Sequence, residues 1–217
     1  SKAAGFAALT RVFLGPMLVA ADSWLVFIIA LSALSMVVGN LLALAQSDIK
    51  RMLACSGIAQ AGYALVGIAA VSPLGTMATA FFLFQYLFTN LGAFLVVTAV
   101  GSTEGDDRIS GYNGLSRRSP VLAAGLLVLL LSLGGIPPLA GFWAKLFVFW
   151  AAVNQGLYGL VFIGVLTSVL SLYYYLMVAR AMYIEAPGDK PPIRLTVAGA
   201  AAIVLCLLVV IGLVYPQ

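Results

Sequence analysis

Lys145 lies seven residues after Pro138, in the run Leu139-Ala140-Gly141-Phe142-Trp143-Ala144-Lys145-Leu146-Phe147, well inside an apolar segment. Seven helical residues rise about 10 Å, so its ammonium does not easily reach lipid headgroups. Burial without a carboxylate disfavours the charged form, and a lysine in that setting can gain and lose a proton near neutrality. The chemistry indicated is a proton relay; the alternative is a lysine paired with a carboxylate or backbone carbonyl of a neighbouring subunit. Arg11 hardly ever releases its proton, which leaves it the role of a fixed charge or an anchor snorkelling to the interface. Lys2 either flanks the start of a helix or, if residues precede it, sits at mid-membrane. Lys2 and Arg11 are nine residues apart, on opposite faces of one helix and about 13 Å apart along its axis, so they do not share a pathway.

Neutral polar groups could support such a relay by holding water, or could simply fasten helices together: Gln60, Tyr63, Gln85, Tyr86, Asn90, Ser132 and the run Tyr173-Tyr174-Tyr175. Other chemistries lack residues. There is no histidine, and Cys55 and Cys206 stand in separate apolar stretches, which leaves haem, zinc, iron–sulfur and disulfide frameworks unsupported. Glycine-rich phosphate cradles, Ser-His-Asp or Cys-His sets and paired carboxylates are also missing, so hydrolysis and group transfer have nothing to act with. No cofactor is expected in this chain.

The elements that must position these groups are membrane helices. Of 217 residues, 63% are hydrophobic and 8% charged, with a mean hydropathy of +1.12, which excludes a soluble globule. Seven apolar segments can be read: Ala3–Ala21, Trp24–Ala45, Leu53–Val71, Leu74–Val100, Pro120–Ala152, Leu157–Ala179 and Leu195–Val214. The fold class is therefore all-α, a polytopic transmembrane helix bundle of about seven spans in one membrane domain, residues 1–217. All the acidic residues (Asp22, Asp48, Glu104, Asp106, Asp107, Glu185, Asp189) are expected in the connections. Eight basic residues fall in three connections: Lys50 and Arg51; Arg108, Arg117 and Arg118; Arg180, Lys190 and Arg194. The turns at 22–23, 72–73 and 153–156 carry none. Seven spans put all eight on one face, which the positive-inside rule assigns to the cytoplasm, with the C-terminus on the far side. The net charge of +4 thus reports topology and implies no nucleic acid.

Pro120–Ala152 would make a continuous helix of about 50 Å, too long for one crossing. Gly134-Gly135-Ile136-Pro137-Pro138 interrupts it, because proline removes backbone donors and restricts the residue before it. Two full crossings here would send Arg180, Lys190 and Arg194 to the opposite face. One discontinuous helix broken at 134–138 preserves the charge pattern, and the backbone groups freed at the break must be satisfied by protein or water. The chain opens with Ser1-Lys2 directly on an apolar helix, which suggests a fragment.

These residues resemble a known family, the antiporter-like membrane subunits of the proton-pumping NADH:quinone oxidoreductase, respiratory complex I, and within it the N-type subunits. The resemblance rests on Gly39-Asn40-Leu41-Leu42-Ala43-Leu44, Asp48-Ile49-Lys50-Arg51-Met52-Leu53 and Ile58-Ala59-Gln60-Ala61-Gly62-Tyr63. It continues through Asn90-Leu91-Gly92-Ala93-Phe94, Leu133-Gly134-Gly135-Ile136-Pro137-Pro138-Leu139-Ala140-Gly141-Phe142 and Leu172-Tyr173-Tyr174-Tyr175-Leu176. It implies a fourteen-helix protein of two inverted five-helix repeats, with this chain as helices eight to fourteen. Lys2 is similar to the central lysine of helix eight, which joins two half-channels, and Lys145 to the lysine of the broken twelfth helix. Where relatives commonly have histidine in the Ile-Ala-Gln-Ala-Gly-Tyr block, this chain has Gln60, which orients water but does not titrate near neutrality. The resemblance further implies M-type and K-type neighbours, a bacterial plasma membrane, and FMN, iron–sulfur clusters and quinone in the complex as a whole. Two rivals remain open at this point: a subunit of a multi-subunit cation/proton antiporter, and an inert membrane scaffold.

Overall fold

A computed structural model describes residues 2–186, 193 and 197–213, with the side chains of residues 104, 197 and 198 left aside. Asp189, Lys190, Arg194, the last part of the 180–194 connection and the C-terminal residues lie outside it. Among the described residues every regular element is helical: α1 (Lys2–Phe13), α2 (Ala21–Leu44), α3 (Ile49–Ala69), α4 (Pro73–Glu104), α5 (Leu115–Arg118), α6 (Pro120–Gly134), α7 (Ala140–Asn154), α8 (Tyr158–Tyr183) and α9 (Val197–Gly212). Four of them, α2, α3, α4 and α8, are long and apolar enough to cross a membrane alone. The pair α6 and α7 supplies the divided segment, and α1 and α9 complete the seven apolar segments. The interior polar atoms of each helix bond within it, which is why a chain this apolar folds this way.

Several boundaries differ from expectation. The first segment does not run unbroken from Ala3 to Ala21: Pro16 has no N–H to give, α1 stops before it, and a 3-10 turn over Pro16–Ala20 leads straight into α2. Asp22 consequently lies in the first turn of α2, where a carboxylate is favoured by the helix dipole, and is not in a connection. Glu104 is likewise the last residue of α4. The connection 101–119, between the apolar segments Leu74–Val100 and Pro120–Ala152, is not a bare loop: it continues α4 for one turn and then forms a 3-10 turn (Ile109–Tyr112) and α5. Tyr112 and Leu115 are wholly buried, and the Tyr112 hydroxyl donates to the Val97 carbonyl at 3.3 Å.

The basic connections come together at one end of the bundle. Ile49 N–H donates to the Asp107 carbonyl (2.9 Å), Ile109 N–H to Ser47 (3.0 Å), and Gly114 N–H to Ala181 at the end of α8 (3.0 Å). Lys50 pairs with Asp107 at 2.7 Å, and Asp48 caps α3 by accepting from Arg51 N–H at 2.9 Å. At the other end, Ser72 caps α4 by accepting from Gly75 N–H at 3.0 Å, and Gly156, at φ +75°, turns α7 into α8.

α3 is the central helix, buried over most of its length, with α2, α4, α7 and α8 around it and α9 against α4 and α6. The Ser32 hydroxyl of α2 reaches the Gly62 carbonyl of α3 at 2.7 Å, the close approach that small residues allow between membrane helices.

The helix break sits at 135–139, one residue later than expected at its start, because Gly134 is the last residue of α6. Gly135 adopts the left-handed conformation, φ +84°. Its N–H donates to Ser132 O (3.0 Å) and that of Ile136 to Leu131 O (3.1 Å), the Schellman arrangement that closes a helix on glycine. The Pro137–Pro138 peptide is cis. α6 and α7 are each about 22 Å long, so neither spans the core alone.

If the basic connections share one face, cysteines placed at Arg51, Arg117 and Ile184 will react with a membrane-impermeant maleimide from one side, and a cysteine at Gln155 from the other. Labelling of 155 and 51 from the same side would contradict this topology. Gly135→Ala should destabilise the assembled protein by about 1–2 kcal/mol, the cost of a left-handed non-glycine residue; an unchanged heat-inactivation midpoint would contradict the role given to this glycine.

Candidate functional site

The last four carbonyls of a helix have no partner within it, and in α6 they end inside the bundle. Leu131 and Ser132 are satisfied by the Schellman turn. The other two point at side chains. Lys145 Nζ donates to Leu133 O and Gly134 O, both at 3.1 Å, and Gln60 Nε2 donates to Leu133 O at 3.1 Å. Lys145 is 5% exposed, and the face of the Tyr63 ring covers its ammonium at 4.6 Å. A cation at the C-terminal end of a helix and over an aromatic face is favoured by both. The ion pairs of the described residues, such as Lys50–Asp107 and Arg180–Glu185, lie at the basic end; Lys145 has carbonyl partners in its own chain and no carboxylate among the described residues.

Tyr63 is itself held. Its hydroxyl donates to Thr167 Oγ1 (3.1 Å) and accepts from Asn40 Nδ2 (3.4 Å), while Tyr174 donates to Asn40 Oδ1 at 3.0 Å. All four residues are buried, so α2, α3 and α8 fix the ring that faces the lysine. Ser132 is buried, and its hydroxyl accepts the Gly141 N–H at 3.2 Å, capping α7 from the last turn of α6. A cleft of about 300 Å³ lies beside Lys145, walled by Gly134, Gly135, Phe142, Phe149 and Ser168.

Lys2 forms a second, more open site. Its Nζ donates to the Gly57 carbonyl at 3.3 Å and to the Tyr86 hydroxyl at 3.4 Å, and it lines a cavity of about 420 Å³ with Tyr86, Asn90, Leu87 and Phe94. Gly57 and Gln60 are one turn apart on α3, so the same helix carries the acceptor of Lys2 and the amide that shares Leu133 with Lys145. Arg11, in the last turn of α1, is exposed and belongs to neither site.

The structure thus gathers Lys145, Gln60, Tyr63, Ser132, Gly134 and Gly135 at the break, with Pro137 and Pro138 in the connection beyond it, and places Asn90 beside Lys2. Gln85 is buried and is bonded by Thr89 on its own helix at 3.1 Å; among the described residues it joins neither lysine's partners. Asn40 and Thr167 are not among the polar candidates of the sequence, although an asparagine in the middle of an apolar segment is a legible signal. The carbonyls of Leu133 and Gly134 carry no side-chain signature at all.

Residues 1–171 match the protein family described as NADH:quinone oxidoreductase/Mrp antiporter, TM. The chain is 46% identical, over its whole length, to NADH-quinone oxidoreductase subunit N of Moorella thermoacetica, covering 46% of that protein. It is 48% identical over 87% of its length to NAD(P)H-quinone oxidoreductase subunit 2 of Gloeothece citriformis, covering 37% of it. The chain therefore spans less than half the length of these curated relatives. Among solved structures, it resembles a chain of respiratory complex I from Thermus thermophilus with bound aureothin (TM-score 0.73, 38% identity, 86% of this chain and 42% of that one). It also shares its fold with a chain of the Mrp complex from a Dietzia species (TM-score 0.86, 23% identity, 96% of this chain and 47% of that one). On the family match and these identities, this membrane chain belongs to the NADH:quinone oxidoreductase/Mrp antiporter transmembrane family.

Proposed function

We propose that this chain is the part of an N-type subunit, its helices eight to fourteen, that carries protons through one half-channel of a proton-translocating NADH:quinone oxidoreductase. The observation that supports this most is the buried Lys145, held by two carbonyls freed at a helix break and by an aromatic face, with no carboxylate among the described residues to fix its charge. Desolvation disfavours the ammonium, while the carbonyls and the ring favour it. Opposed contributions of similar size are what a group needs in order to take up and release a proton within one cycle. Lys2 serves as the donor side, and α3 links the two through Gly57 and Gln60. Gln60 orients; it does not carry charge.

In this reading the chain holds no redox group. FMN, iron–sulfur clusters and quinone belong to the rest of the complex, and M-type and K-type membrane subunits are its neighbours. It sits in a bacterial plasma membrane with the basic connections toward the cytoplasm, as the positive-inside rule requires. Copurification with flavin and iron–sulfur subunits agrees with this reading, whereas sodium-driven proton exchange without redox subunits would replace it with an antiporter.

Lys145→Ala in the assembled complex is expected to lower the protons moved per electron by the share this chain carries. Lys145→Arg should lose the same share, because a guanidinium keeps its charge but does not release its proton. The check is proton uptake and NADH oxidation measured together in reconstituted vesicles. An arginine variant that assembled normally and pumped at the wild-type ratio would defeat the proposal.

A further inference from the structure

We infer that Gly141 is a positioning residue for Lys145: its bare backbone lets α7 begin in contact with the last turn of α6, and this contact sets the ammonium on the carbonyls of Leu133 and Gly134. The inference rests on the proton-carrying reading of Lys145 for its functional consequence, though its geometry does not.

Gly141 is buried in the first turn of α7. A methyl group built there would overlap the Ser132 carbonyl oxygen, and the Ser132 carbon lies at 2.7 Å from the same point, with Oγ at 3.0 Å. The carbonyl oxygen and carbon are backbone atoms of a helix and cannot swing aside as a side-chain tip would. The Gly141 N–H uses the proximity, donating to Ser132 Oγ at 3.2 Å. Leu139, which precedes α7, supplies no side-chain cap, so Ser132 does the capping from the other half-helix. Lys145 is four residues on, one turn farther along the same face, and its two acceptors are the residues that immediately follow Ser132. Consecutive residues of α6 thus hold both the start of α7 and the head of its lysine. Gly135 is crowded by the same side chain: a methyl group there would come within 3.1 Å of Lys145 Cδ, so the bare backbone at 135 leaves the lysine stem its place.

Any side chain at 141 must push α7 away from α6, and Lys145 with it. In the complete complex, Gly141→Ala should reduce protons moved per electron toward the Lys145→Ala value, and its cryo-EM structure should show Nζ beyond hydrogen-bond distance, about 3.5 Å, from at least one of the two carbonyls. Ser132→Ala keeps the space and removes the cap, so its ratio should fall less. A Gly141→Ala complex with Lys145 still on both carbonyls, or pumping at the wild-type ratio, overturns the inference. If that variant does not assemble, Ser132→Ala decides: a wild-type ratio there overturns it equally. Should Lys145→Ala itself pump normally, the proton-carrying reading fails, while the position of Nζ in Gly141→Ala still tests the role of the glycine.

Discussion

A carbonyl oxygen at membrane depth has no water to turn to, and the arrangement of this bundle follows from where α6 leaves its last carbonyls. Each one left without a donor would cost several kcal/mol. The Schellman turn at Gly135 takes care of Leu131 and Ser132, and Lys145 and Gln60 take care of Leu133 and Gly134. The lysine is thus required by the break as much as the break is required by the lysine. The magnitudes are comparable: burying an ammonium costs several kcal/mol, two hydrogen bonds from a charged donor return about 1.5–3 kcal/mol each, and a desolvated cation over a ring adds about 2 kcal/mol. Neither side dominates, which distinguishes this lysine from one locked in an ion pair.

The surrounding helices hold that balance still. Tyr63 offers its face to Lys145 only because its hydroxyl is fastened to Thr167 on α8 and to Asn40 on α2, and Asn40 is fastened in turn by Tyr174. α3 contributes Gln60 and Tyr63 from one face and the Gly57 carbonyl, which accepts from Lys2, one turn away. At the basic end, the strap of backbone bonds from Ser47 to Ile109 and from Ala181 to Gly114 ties together the ends of α3, α4 and α8, and the buried Tyr112 closes the space beneath it. The lysines are therefore set in a frame anchored at one end and fixed by a buried polar network at mid-depth.

Apolar runs, the positions of basic residues and the Gly-Gly-Ile-Pro-Pro signal made the helix count, the divided span and the lysine at its edge readable, because each depends on composition or on proline chemistry alone. Pro16 carries the same chemistry, but the hydropathy of Ala3–Ala21 runs through it unbroken, and composition alone does not place the end of α1. The structured stretch from Ile109 to Arg118 is not readable: it lies in the connection 101–119, whose mixed charges look like a loop, and it is ordered by distant partners, Ser47 and Ala181. The partners of Lys145 escaped for a different reason. They are backbone oxygens of leucine and glycine, made available by the geometry of the break, and no residue type announces them.

The contacts at the break are compatible with either charge state of Lys145. A neutral amine keeps two N–H donors, enough for the two carbonyls that Lys145 meets, and Gln60 covers Leu133 in either state. What changes is the attraction to the Tyr63 face, which requires a cation, and the appearance of a lone pair that seeks a donor. Deprotonation thus loosens the hold of one ring on one side chain and leaves the backbone of α6 satisfied. An arginine would supply more donors but never the lone pair, and a shorter polar side chain would not reach both oxygens from Lys145's place on α7. Length and donor count suit lysine to these two carbonyls, and the proposed proton-carrying role adds the one property that arginine lacks, the ability to lose a proton.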